Sequence, residues 1–73
     1  MYIKARTKCR VISDNLGNFK TGDIVITLET SNMPYCCLVE NYKPNTPLRH
    51  YDVTKYHALH WSELEVLDDR TEE

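Results

Sequence analysis

Residues 1–11 read Met-Tyr-Ile-Lys-Ala-Arg-Thr-Lys-Cys-Arg-Val, with Lys4, Arg6, Lys8 and Arg10 at every second position. Ile3, Ala5, Thr7, Cys9 and Val11 fill the positions between them. Side chains of an extended chain alternate between its two faces, so this pattern predicts a strand with one buried and one basic face. The same four cations could instead be a stripe that meets phosphates. The remainder of the chain has to decide between an internal partner and an external one.

Period two continues beyond this stretch. Residues 13–23 contain Gly17, Gly22, Asn15 and Asn18, which predict a loop with tight turns. Residues 22–30 predict a second strand, with Ile24, Ile26 and Leu28 on one face and Val25, Thr27 and Glu29 on the other. Asn32, Met33 and Pro34 interrupt it, since proline donates no ladder hydrogen bond. Residues 35–42 predict a third strand, with Cys37 and Val39 inward. Residues 43–55 carry two prolines and predict a connection of unusual length for so short a chain. Residues 56–61 predict a fourth strand. Residues 62–67 predict one helical turn and then a last strand, with Leu64 and Val66 reaching the core. No amphipathic helix of usable length is present. The expected organisation is a single domain over residues 1–68, followed by a polar, frayed tail over 69–73.

Seventy-three residues allow one small core, and a domain of this size buries only about 60% of the surface its unfolded chain exposes. A self-contained catalytic pocket is hard to accommodate beside it. The start of the chain lacks the apolar run of a signal peptide, and the longest apolar stretch falls far short of the ~20 residues of a membrane span. The expectation is a soluble cytoplasmic protein. Three cysteines, two of them the adjacent Cys36 and Cys37, suit a reducing compartment and read as small buried hydrophobes.

Five short strands with a helical turn before the last resemble the SH3-like small β-barrels over residues 3–68. The residues carrying the resemblance are Phe19, Gly22, Asp23, Ile24 and Val25 at the second strand, and Trp61, Glu63, Leu64 and Leu67 at the last. Similar barrels occur among small phage and prophage proteins. The resemblance implies an all-β, five-stranded barrel whose first and last strands are antiparallel neighbours. It would place the basic stripe opposite Glu63, Glu65, Asp68 and Asp69. The acidic first loop and paired tyrosines of peptide-binding SH3 domains are missing, because residues 13–22 offer only Asp14 and no tyrosine.

Charge is unevenly distributed around a net −2. Residues 1–22 hold five basic and one acidic residue, and residues 61–73 hold one basic and six acidic. A sequence pI of 5.9 is unlike the pI above about 9 that marks a nucleic-acid footprint. The chain lacks the Cys-x(2–4)-Cys and His-x(3–5)-His spacings of structural zinc sites, and a strand would point His57 and His60 to opposite faces. Neither a metal nor another cofactor is expected. A thiol nucleophile would need an activating base, and only His57 near Cys36 or Cys37 suggests one.

The aromatics are concentrated in the second half. Tyr42, Arg49, His50, Tyr51 and Tyr56 have the composition of a protein-interface anchor, since aromatics and arginine are enriched at hot spots. The sequence therefore predicts a non-catalytic protein-binding module, a monomer or weak homodimer, with these five residues as its contact. The phage resemblance narrows this to a regulator or inhibitor of a host intracellular protein. The alternative is a nucleic-acid-binding barrel that uses Lys4, Arg6, Lys8 and Arg10.

Overall fold

A computed structural model describes residues 1–68; the expected tail at 69–73, and any pairing by Asp69, lie outside the described residues. The architecture is all-β. Strands β1 (Lys8–Val11), β2 (Ile24–Thr27), β3 (Tyr35–Leu38), β4 (Tyr56–Ala58) and β5 (Leu64–Asp68) form one antiparallel sheet in the order β4-β3-β2-β1-β5. The sheet is open, with β4 and β5 at its edges. The only helical pieces among the described residues are short 3-10 turns at Val39–Asn41, Leu48–His50 and Trp61–Glu63. No helix among those residues is long and apolar enough to cross a membrane.

Ile3, Cys9, Val11, Phe19, Val25, Cys36, Leu59 and Leu64 form the core on one face of the sheet. Cross-strand partners share a face, so register explains the set: Cys9 lies opposite Val25, and Val11 opposite Leu64. The other face is also covered. There Ile26 lies opposite Cys37, Cys37 opposite Tyr56, and all but Tyr56 are fully buried. This second cover explains why neighbours Cys36 and Cys37 are both inaccessible although they point opposite ways.

Three local expectations need correction. Val39 is 42% exposed, because β3 ends at Leu38 and a 3-10 turn carries Val39 off the sheet. Val66 pairs with Cys9 and so shares the core face, yet it stays 43% exposed at the sheet edge, facing an apolar hollow with Met1, Tyr2 and Ile3. The first strand is also shorter than residues 3–11. It begins at Lys8, and a turn at Ala5–Arg6 precedes it. Ile3 reaches the fold separately, through a bridge to Ser31.

Two connections owe their shape to single side chains. Asp14 accepts hydrogen bonds from the backbone N–H groups of Leu16, Asn18 and Phe19, which closes the first loop and delivers Phe19 to the core. Gly22, at φ 97°, supplies the left-handed residue that turns the chain into β2 while its N–H bonds Val11. The helical turn expected before the last strand is present at Trp61–Glu63. His60 caps it by accepting from Ser62 N–H, while the Glu63 carboxylate accepts from His60 N–H.

Candidate functional site

The register tests the stripe directly. Arg10 pairs with Glu65, and their side chains meet at 2.7 Å with about half of each exposed. Lys8 pairs in register with Asp68. The half-exposed Arg10–Glu65 pair contributes about 0.2–1 kcal/mol. Glu63 is used elsewhere, on the backbone of His60 and Asn15. Arg6 departs from the stripe altogether. It sits in the turn before β1 in a left-handed conformation, φ 63°, and lines a cleft with Tyr42 and Lys43.

A buried polar network holds that turn. Thr7 and Thr27 are almost wholly inaccessible. The Thr27 hydroxyl accepts from Thr7 N–H at 2.9 Å and donates to the Lys4 carbonyl at 2.6 Å. The Thr7 hydroxyl donates to the same carbonyl at 2.7 Å. Arg6 N–H bonds Thr27 O at 2.8 Å. Such satisfied buried bonds offset the cost of a left-handed arginine, which is about 1–2 kcal/mol.

The 43–55 connection is not structureless. Residues Leu48–His50 make a 3-10 turn, and Tyr51 beyond it is only 6% exposed. Its hydroxyl accepts from Lys43 N–H and donates to Lys43 O, each at 2.9 Å. The ring stacks edge-on against Tyr56 at 6.5 Å, and Tyr56 meets Tyr35 edge-on at 5.2 Å. The sequence suggested Tyr51 as a contact residue; the structure leaves little of it exposed, with its hydroxyl closing the loop upon itself and its ring packed on Tyr56. Burial accordingly raises its phenol pKa.

The five expected anchors thus separate into two groups. Arg49 and His50 stand exposed on the 3-10 turn, side by side in sequence. Tyr42, Tyr51 and Tyr56 are the half-buried or buried frame behind them. Between this frame and the Ala5–Arg6 turn lies a cleft of about 240 Å³, with Arg6, Tyr42, Lys43, Asn45 and Thr46 among its walls. Sequence reasoning placed Arg6 in the stripe and overlooked Lys43, Asn45 and Thr46. The cleft falls below the roughly 300–1,000 Å³ of small-molecule pockets.

The other candidate chemistries find no support in the geometry. Cys36 lies opposite His57 in register, but the His57 ring packs edge-on against Phe19 at 5.5 Å. All three thiols are free and buried. Burial pushes Cys9 and Cys37 up to about 11, and Cys36 higher still, so each is protonated and poorly nucleophilic near neutral pH. Among the described residues no three His, Cys, Asp or Glu side chains gather as a metal site would require. No family model, curated protein or solved structure matches the chain.

Proposed function

We propose that the chain is a non-catalytic SH3-like module that binds another protein through the 43–56 loop and adjoining strand edges, with Arg49 and His50 as the exposed contacts. The sheet is open and not a closed barrel, and the SH3-like reading draws its support from the placement of β1 between β2 and β5 and from the 3-10 turn directly before β5. A small intracellular regulator of phage type is the role that fits this size and resemblance, with no cofactor involved.

One observation carries the binding assignment: the double hydrogen bond between the Tyr51 hydroxyl and the Lys43 backbone. It fixes both ends of a nine-residue stretch whose turn presents Arg49 and His50 to solvent. Ordering an interface loop costs about 0.5–1.5 kcal/mol per immobilised side chain, and a loop that is already closed avoids much of the backbone share. Its two prolines act in the same direction.

The nucleic-acid alternative requires Lys4, Arg6, Lys8 and Arg10 to act together. Arg10 has its partner in Glu65 and Arg6 has turned away, which leaves no continuous row. A gel-shift titration with DNA and RNA at several salt concentrations separates the two readings. Phosphate binding weakens steeply as salt rises. The protein-binding reading expects no shift at physiological salt, together with capture of a protein that Arg49→Ala weakens.

A further inference from the structure

Two non-glycine residues among the described ones have positive φ, Arg6 at 63° and Asn45 at 61°. They lie 39 positions apart in the chain, yet both line the same cleft. Backbone strain of this kind costs about 1–3 kcal/mol and persists where the surroundings fix it, often at ligand sites. At Arg6 the fixing device is the buried Thr7–Thr27 network around the Lys4 carbonyl. An arginine is a poor choice for a left-handed position if only the turn matters, because glycine or asparagine would serve with less strain. The identity of the side chain therefore points outward, to what the guanidinium meets.

The charge of the cleft says what that is. Its walls carry two cations, Arg6 and Lys43, the amide of Asn45 and the hydroxyl of Thr46, and no acidic side chain among the described residues. Glu40 and Asp52 line the adjoining hollow on the other side of Tyr42 and Lys43. The Asp52 carboxylate there accepts from the N–H and hydroxyl of Thr54, which lower its pKa, with Lys55 and Lys43 adding to the effect, so Lys43 serves both hollows. Two cationic residues and two neutral polar ones on the walls of one small depression, with the Thr46 hydroxyl also donating to Pro44 O, match a carboxylate, which accepts several charge-assisted hydrogen bonds at once.

We propose that this cleft seats a carboxylate side chain from an acidic segment of the partner protein, with Arg6 as the directional donor and Lys43 as the second cation. The proposal rests on the protein-binding reading and specifies the partner's chemistry. Exposed Arg49, just beyond the cleft, extends the same preference for acidic sequence.

Arg6→Gly separates a recognition role from a structural one. Glycine relieves the left-handed strain while removing the cation, so binding should fall as thermal stability rises. The assay is amide NMR on the isotopically labelled protein at 20 and 150 mM salt. Its probes are a six-residue Glu/Asp peptide, its Gln/Asn counterpart and an eight-residue oligothymidylate. The expected result is that the acidic peptide shifts the amides of Arg6, Lys43, Asn45 and Thr46, more strongly at low salt, while the neutral peptide does not. Arg6→Gly should weaken this binding at least about tenfold and raise Tm by roughly 2–6 °C. Arg6→Lys should retain part of the affinity.

An acidic peptide without effect on the cleft, or bound equally well by Arg6→Gly, would overturn the proposal. Binding of the neutral peptide at Arg49 and His50 would also overturn it while leaving the protein-binding reading intact. Preference for the oligonucleotide, with shifts running along Lys4, Lys8 and Arg10, would overturn both.

Discussion

Tyr51→Phe removes one oxygen atom and leaves the ring where it is. That oxygen makes two hydrogen bonds to Lys43, each 2.9 Å. At about 1 kcal/mol per bond, the loss is roughly 2 kcal/mol before solvent responds. Lys43 is exposed, so water recovers part of it, and the expected cost is about 1–2 kcal/mol. A domain of 73 residues has a total stability of about 4–11 kcal/mol, so this is a measurable fraction of the whole. Each kcal/mol lowers Tm by about 4–8 °C at this size, which predicts a fall of roughly 4–16 °C by circular dichroism.

Hydrogen exchange supplies the local readout. The Lys43 amide should be protected in the native protein and exchange freely in the variant, while core amides such as those of Val25 and Cys36 change only with global stability. Tyr51→Ala is a blunter probe, because deleting a buried aromatic costs about 3–5 kcal/mol and could unfold the domain outright. If Tyr51→Phe melts within about 2 °C of the native protein and Lys43 protection is unchanged, the clamp is not what orders the loop. The preorganisation argument would then fall with it.

Two further outcomes follow from the buried groups. Thr27→Val keeps the shape but strands the Thr7 N–H and removes one of the two hydroxyl donors to Lys4 O, so it should cost about 2–4 kcal/mol in urea unfolding, whereas Thr27→Ser should cost about 1. Equal destabilisation by the two would show that packing, not the hydroxyl, matters there. The thiols make stability fall in alkali. Burial raises Cys9 and Cys37 from 9.0 to about 11, so the folded state holds their protons longer than the unfolded one. Stability is therefore unaffected below about pH 8 and declines between about pH 9 and 11, by up to roughly 3 kcal/mol per thiol. Unfolding midpoints at pH 7.5 and 10.5 measure this, and Cys9→Ala should flatten the decline; an unchanged slope would show that other groups cause it.

Much of the sheet was legible because alternation, glycine and proline are local signals. The burial of Cys9 and Val11, the break at Pro34 and the turn before Leu64 all follow from their immediate neighbours. What stayed hidden depends on distant partners. The Ala5–Arg6 turn has no sequence mark, since Ile3 and Thr7 stay buried either way and arginine does not signal a positive φ. The hydroxyl that forces the turn belongs to Thr27, twenty residues after Thr7. Tyr51 misled for the opposite reason: a tyrosine among prolines and polar residues looks exposed, and only its contacts to Lys43 and Tyr56 bury it. The cleft was invisible because its cations, at positions 6 and 43, are far apart in the chain and meet only in space.

The central claim is that exposed residues on a preclosed loop hold a protein partner. The direct test is affinity capture from nuclease-treated cell lysate with the native chain and with the Arg49→Ala/His50→Ala double variant, followed by titration of the retained protein against both. The variant should melt within roughly 4–8 °C of the native chain, because each exposed substitution typically matters by about ±0.5 kcal/mol. Its affinity should be at least about 30-fold weaker, the equivalent of a hot spot of about 2 kcal/mol. Undiminished affinity in a variant of unchanged stability would contradict the claim and move the binding face off this loop.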